Sequence, residues 1–431
     1  MKVKRAIPFK NLSVKSKLNL AIAACIALYA IFVISVLASG RFCKYIGIDY
    51  CAYWTGGRLM LDKSIADVYN TDLLRLYQEK FYPQTTSIGI DFNVVPLPYL
   101  PVFVLIFSLL SIIDLPYSFI FWTLLNVLGL IFYLRFFIKD TTKTKPSYTL
   151  LAMIIISLPV FLNLFYGQVN FFLGICAGEI FRALIKSKSL KAGLWLGGWL
   201  FKPQLLILIL PILLFKKRWK VLWGFFISLL FVLTISYGLI GKEGFLRLFN
   251  ILVNSSQGGA SSNPQGMMNW RMIGINLANY FNSNIGLGII IVGSLVTTIV
   301  TFLVFLKKSP DENPVYLSIF WLGVLAATGA VTWHAHLSMS VVLIPFVLYL
   351  FLMGKIDLKI IVWWIFMPII FFFSKSGIIL LKYFDMLPEM LHSLPTLWGA
   401  LPGFIFNLVF LGWAVKHYHQ PKLEMNNESI I

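Results

Sequence analysis

Residues 18–38 read LNLAIAACIALYAIFVISVLA, 21 residues without one charged side chain. About 20 apolar residues cross the ~30 Å hydrocarbon core of a bilayer as a helix, so this run predicts a membrane span. Comparable runs recur near 97–113, 116–138, 148–165, 169–186, 191–201, 203–215, 220–240, 286–306, 314–331, 337–353, 359–380 and 399–416. They leave no room for a soluble appendage. The expected fold is all-α, a polytopic membrane helix bundle forming a single domain over residues 18–416. The first run ends in VLASG (36–40), whose Val36, Leu37 and Ala38 have the character of a cleavage site. Its apolar stretch exceeds the 7–15 residues of a secretory signal, so an uncleaved first helix is expected.

Composition excludes a soluble protein. Only 12% of residues are charged and 59% are hydrophobic, against about a quarter charged in soluble domains. The formal charge of +19 is gathered in tracts between the apolar runs: MKVKRAIPFKNLSVKSK (1–17), KDTTKTK (139–145), KSKSLK (186–191), KKRWK (216–220), KIDLK (355–359) and KHYHQPK (416–422). Tracts so placed set membrane orientation and give no reason to expect a nucleic-acid partner. Basic segments 1–17 and 417–431 make both termini cytoplasmic, in a bacterial plasma membrane by expectation. An even number of crossings is then required, so one of the thirteen runs does not cross. The break at IIDLP (112–116) marks 97–113 as a half-inserted or surface helix, leaving about twelve spans.

Counting crossings back from the C-terminus puts four polar features on the outer face: the loop with Asp49, YGQVN (166–170), FKPQ (201–204) and WHAH (333–336). Loops 39–96 and 241–285 fall on the same side, the second read as mobile from its Ser/Gly/Asn/Gln-rich centre. Polar residues collected on one side of a membrane domain predict an outward-facing site.

Asp49, in IGIDYCAYWTGGRLML (46–61), fits two roles. It can cap the helix that follows, or act as a general base shielded by Tyr50, Tyr53 and Trp54. Arg58, Asp62 and Asp67 read as structural. The Tyr99 hydroxyl is a candidate lining group, and Gln168 and Asn170 of YGQVN suit a helix cap or a sugar hydroxyl. Lys202 is a lone cation between apolar segments, costly unless it is paired or snorkels. A short interrupted helix with this lysine at the break is a candidate phosphate site. Arg271, after Asn269 and Trp270, can fork onto a phosphate. His334 and His336, at i and i+2, share no helical face and have no acidic or Cys neighbour to complete a zinc site. Of the four cysteines, Cys25 and Cys176 lie within apolar runs, while Cys43 and Cys51 flank Asp49, free or bridged. No phosphate-cradling glycine loop or dinucleotide fingerprint is present, so a donor has to be reached from the membrane.

Taken in order, these segments resemble the membrane glycosyltransferases of family 87, polyprenol-phosphate-mannose-dependent mannosyltransferases of the C-type architecture. DYCAYWTGGRLML…ADVYN is similar to the family's outer loop, YLPV (99–102) to its YPPL start, and GQVN, KPQ and KKRWK to its later motifs. Its W-x-H-H-L pattern is WHAHL here, with Ala335 in place of the first histidine and His336 matching the second. The resemblance implies inverting transfer of a hexose, mannose by analogy, from a polyprenyl-phosphate-sugar donor to a glycolipid or glycan hydroxyl, with no metal or other cofactor. It implies Asp49 as the base. By charge and position, Lys202, Arg271 and His336 are expected at the donor phosphate, and Tyr53, Tyr99, Gln168, Asn170 and Gln204 at the sugar or acceptor. The alternative is a transporter or lipid flippase gated by Asp49 and Lys202; no inverted repeat favours it.

Overall fold

The 18–38 run forms helix α1 (Val14–Ala38), started by the Ser13 side chain, which accepts from the Ser16 amide at 3.2 Å. In the computed structural model the described residues are 13–82, 94–256, 266–278, 280–307, 313–383 and 394–418. Among them are seventeen α-helices and no β-strand. The protein is an all-helical polytopic membrane protein.

The segment after α1 is more ordered than an outer loop. It holds α2 (Ile48–Asp62), a 3-10 turn at Ile65–Tyr69 and α3 (Thr71–Phe81), which is capped by the Asn70 side chain. Helix α4 (Pro101–Leu110) has ten residues, only about 15 Å of rise, so it cannot cross a bilayer alone. The long α5 (Leu115–Thr142) follows the break at Asp114. Helices α6 (Tyr148–Ile155) and α7 (Leu158–Tyr166) meet at a 53° bend, with Pro159 in the first turn of α7. After α8 (Asn170–Ile185) and α9 (Ser189–Leu196), the chain passes through two 3-10 turns, Gly197–Phe201 and Pro203–Leu206, hinged at Lys202, before α10 (Ile209–Phe215).

Helix α11 (Trp219–Ser256) breaks at Gly241, and α12 (Trp270–Ala278) precedes α13 (Ser283–Phe305). The stretch 241–285 is therefore helical on both sides of its polar centre, which at 257–265 lies outside the described residues. Helix α14 (Pro314–Val331) is the most enclosed long helix; an extended link carries the two histidines to a 3-10 turn at Leu337–Leu343 and α15 (Ile344–Leu352). The chain closes with α16 (Leu358–Tyr383) and α17 (Leu394–Tyr418).

Six helices among the described residues are long and apolar enough to span, and the α6–α7 pair makes a seventh. The chain is broken between shorter helices where the sequence has Lys202-Pro203 and His334 to His336. Both breaks lie beside the Asp49 end of the bundle. Helix α1, whose window is mostly exposed, presents Ile26, Ile31 and Ile34 outward, as a lipid-facing helix does.

Candidate active site

Two constraints fix the turn that carries Asp49. The Gly47 amide donates to the Phe165 carbonyl at 2.7 Å, tying the start of α2 to the end of α7, and a disulfide joins Cys43 to Cys51. Asp49 does not occupy the capping position of α2, which is Gly47. Its carboxylate instead receives the side-chain amide of Gln168 at 2.6 Å.

Gln168 can donate in that direction because its carbonyl oxygen is taken. Asn170 Nδ2 donates to Gln168 Oε1 at 2.7 Å, and the Ser338 hydroxyl donates to the same oxygen. Only the NH₂ of Gln168 remains for Asp49. Asn170 is itself placed by its backbone amide, which donates to Asn163 Oδ1 at 3.1 Å. The α7–α8 turn that presents both residues uses Gly167 at φ 72°, where a Cβ would overlap Tyr50 on α2. Trp122 holds the turn from outside, its indole N–H donating to the Gly167 carbonyl at 3.2 Å.

Asn170 has no exposed surface and its amide is engaged by Gln168. Its Oδ1 is buried with no hydrogen-bond partner. Tyr53 and Tyr99 pair their hydroxyls at 3.2 Å close to Asp49, and Tyr99 packs on Phe201 with ring centroids 4.8 Å apart. Tyr166 is a further neighbour of the carboxylate.

Lys202 enters from the break between the 3-10 turns, only 5% exposed. Among the described residues it has no hydrogen-bonded carboxylate, yet it lies near enough to Asp49 for each charge to act on the other. Burial raises the Asp49 carboxyl above the usual carboxylate range, while the Gln168 hydrogen bond and the Lys202 ammonium work against that rise. Burial lowers Lys202 to about 8, with Asp49 opposing.

The link after α14 completes the group. His334 and His336 stand edge to face, ring centroids 4.5 Å apart. His334 thus sets a second imidazole against His336 although Ala335 occupies the intervening position. Burial, then Lys202 and Arg271, pushes His334 down to about 4; burial, then His334 and Lys202, pushes His336 well below the ordinary imidazole range. Both rings are neutral near pH 7. Gln204 reaches the same link, its amide 3.5 Å from the His334 carbonyl, at the limit of a hydrogen bond.

Arg271 on α12 is 7% exposed and lies over Trp333, its guanidinium carbon 3.6 Å from the ring centroid. Its Nε is buried with no hydrogen-bond partner. Asn269 steadies this corner through a 2.7 Å bond from Nδ2 to the Thr332 carbonyl. Arg58, Asp62 and Asp67 stay outside the cluster. Arg58 pairs with Asp62 at 3.1 Å, and Asp67 faces Arg247 at 3.9 Å. Ser338, Tyr166 and Trp333 belong to the cluster without having been singled out from sequence. Ser338 follows His336 by two residues, a proximity that hydropathy gives no reason to weigh.

No curated protein and no solved structure matches this chain. A family model for glycosyltransferase family 87 matches residues 97–333, more than half of the 431. Tyr99, Gln168, Lys202 and Arg271 fall inside the match; Asp49, His334 and His336 lie beyond its ends and join them only in the fold. The chain belongs to glycosyltransferase family 87, and is a membrane glycosyltransferase.

Proposed function

We propose that this enzyme transfers a hexose, mannose in the first instance, from a polyprenyl-phosphate-sugar donor to an acceptor hydroxyl, with inversion at the anomeric carbon. Asp49 is the general base in this reading. It takes the proton of the acceptor hydroxyl as that oxygen bonds to the anomeric carbon and the bond from that carbon to the phosphate oxygen breaks. The polyprenyl phosphate leaves with its charge matched by Lys202 and Arg271. The observation that carries the reading is the Asp49 carboxylate held by Gln168 next to the buried Lys202.

Charge separates the roles of the remaining groups. A neutral His336 is suited to one hydrogen bond with a sugar or acceptor hydroxyl, and a poor source of positive charge for phosphate. The unpartnered Nε of Arg271 supports a phosphate contact there. Gln168 and Gln204 then face the sugar or acceptor, while Asn170 and Ser338 are positioning residues acting through Gln168. The Cys43–Cys51 bond supports placing the site on the outer face of a bacterial plasma membrane, because such bonds persist in oxidising compartments.

Radiolabelled sugar transfer by purified protein, with polyprenyl-phosphate-mannose as donor and extracted lipids as acceptors, tests the proposal. Asp49→Asn should lower kcat by about 10²- to 10⁴-fold, the usual contribution of a general base. An unchanged rate would rule out Asp49 as the base, and transfer only from other lipid-phosphate hexoses would correct the sugar.

A further inference from the structure

We propose a second lipid site at the opposite end of the bundle, built to hold an anionic phospholipid of the membrane in which the protein sits. A groove of about 570 Å³ opens between the first turn of α1, the link from α5 to α6, and the α15–α16 junction. The length of α1 separates it from Asp49: 25 residues at about 1.5 Å each place Val14 roughly 37 Å from Ala38.

The lining is divided as a lipid is divided. Lys15, Lys145, Thr144 and Ser147 supply the polar part. Leu18, Phe351, Leu352 and Leu358, all partly exposed, supply apolar wall for the upper part of an acyl chain. Among the described residues neither Lys15 nor Lys145 has a carboxylate partner, and the nearest acid in sequence, Asp140, is already engaged by Arg182 at 2.8 Å and Lys186 at 2.6 Å. Asp357, next to the groove residue Leu358, is flanked by Lys355 and Lys359. Positive charge is thus in excess where the apolar wall ends, the arrangement by which basic pockets between helices hold anionic headgroups.

The site also meets a need of the fold. Helix α1 buries few of its side chains, chiefly Ile22, Cys25 and Tyr29, and beside the groove it is joined to α6 by the Thr149 hydroxyl donating to Asn19 at 3.3 Å. A phospholipid seated there fills the space between α1 and α15 and fastens the first helix to the rest. An acyl chain against Leu18 and Phe351 favours a lipid over a soluble phosphate ester.

Native mass spectrometry of detergent-purified full-length protein tests this, using phosphatidylglycerol, phosphatidylcholine and soluble glycerol phosphate as separate probes. Wild type should retain one phosphatidylglycerol in preference to phosphatidylcholine, with no competition from glycerol phosphate. Lys15→Ala with Lys145→Ala should weaken that retention by about thirtyfold, from about 1 kcal/mol for each lysine, whereas Lys191→Ala, in another basic tract at the start of α9, should not. Leu18→Trp, at a partly exposed groove position, fills the apolar wall but keeps both lysines, and should also lose the lipid while melting normally in detergent. Equal retention of the two phospholipids, displacement by glycerol phosphate, or unaltered binding by both variants overturns the proposal.

Discussion

The amide of Gln168 could face either way in an open pocket; here Asn170 and Ser338 both claim its oxygen, which leaves the nitrogen for Asp49. That choice has a kinetic consequence. Transfer by an Asp49 base requires the carboxylate, and its pKa is already raised by burial, so the rate should fall on the acid side at a pH above the ordinary carboxylate range. Lys202 must be charged to assist a phosphate, and its lowered pKa predicts a second decline as pH rises above about 8. The pH profile of kcat/KM should be bell-shaped, with the alkaline limb absent in Lys202→Gln. Ser338→Ala frees the Gln168 amide to turn, weakens its bond to Asp49 and should shift the acid limb to higher pH; Ser338→Thr, which keeps the hydroxyl, should restore it. An acid limb unmoved in Ser338→Ala would show that the hydroxyl does not act through Asp49. The acid, the lysine and the glutamine were all legible as candidates in the sequence. The serine was not, because its importance comes from a partner 170 positions away.

Helix α2 owes its place to contacts that few side chains could share. A Cβ on Gly57 would run into the Phe107 carbonyl of α4, and Tyr53 packs on Phe107 with ring centroids 4.7 Å apart. Gly57→Ala should therefore push α2 from α4, at a cost of about 1–3 kcal/mol or more. Because Tyr53 and Asp49 ride on the same helix, transfer should drop as well. A lowered melting temperature in detergent together with lost activity is the expected result; a variant as stable and active as wild type would show that the approach is looser than described. Apolar runs were readable as helices from hydropathy, and the failure of α4 to span from the parity of crossings, but the twelve or so spans expected exceed the six, or seven with the α6–α7 pair, that are long enough to cross among the described residues. The helices α2 and α3 were harder to see, since their polar and aromatic residues have no membrane signature and fold against neighbours distant in sequence.

For the molecule as a whole, the basic tracts among the described residues, such as those after α5, α8, α10 and α15, and the Asp49 cluster occupy opposite ends of the bundle. If the tracts face the cytoplasm, a cysteine introduced at Thr71, exposed on α3, should react in intact cells with a membrane-impermeant maleimide. One introduced at Lys191 should react only after permeabilisation. The reverse pattern would invert the topology and place the site in the cytoplasm. A membrane-spanning, all-helical protein follows from composition and run length, which are local properties that each segment expresses without its neighbours. The identities of Asp49, Lys202, Arg271 and His336 as unusual polar residues at apolar breaks are equally local. Their assembly is not: Asp49 and Gln168 meet across 119 positions, and His336 joins them only when α14 and α15 pack around the α7–α8 turn. Packing also buried Asn170 behind Gln168, closed the Cys43–Cys51 bond and removed charge from both imidazoles. Burial and proximity set those properties, and both arise from the arrangement of helices in space.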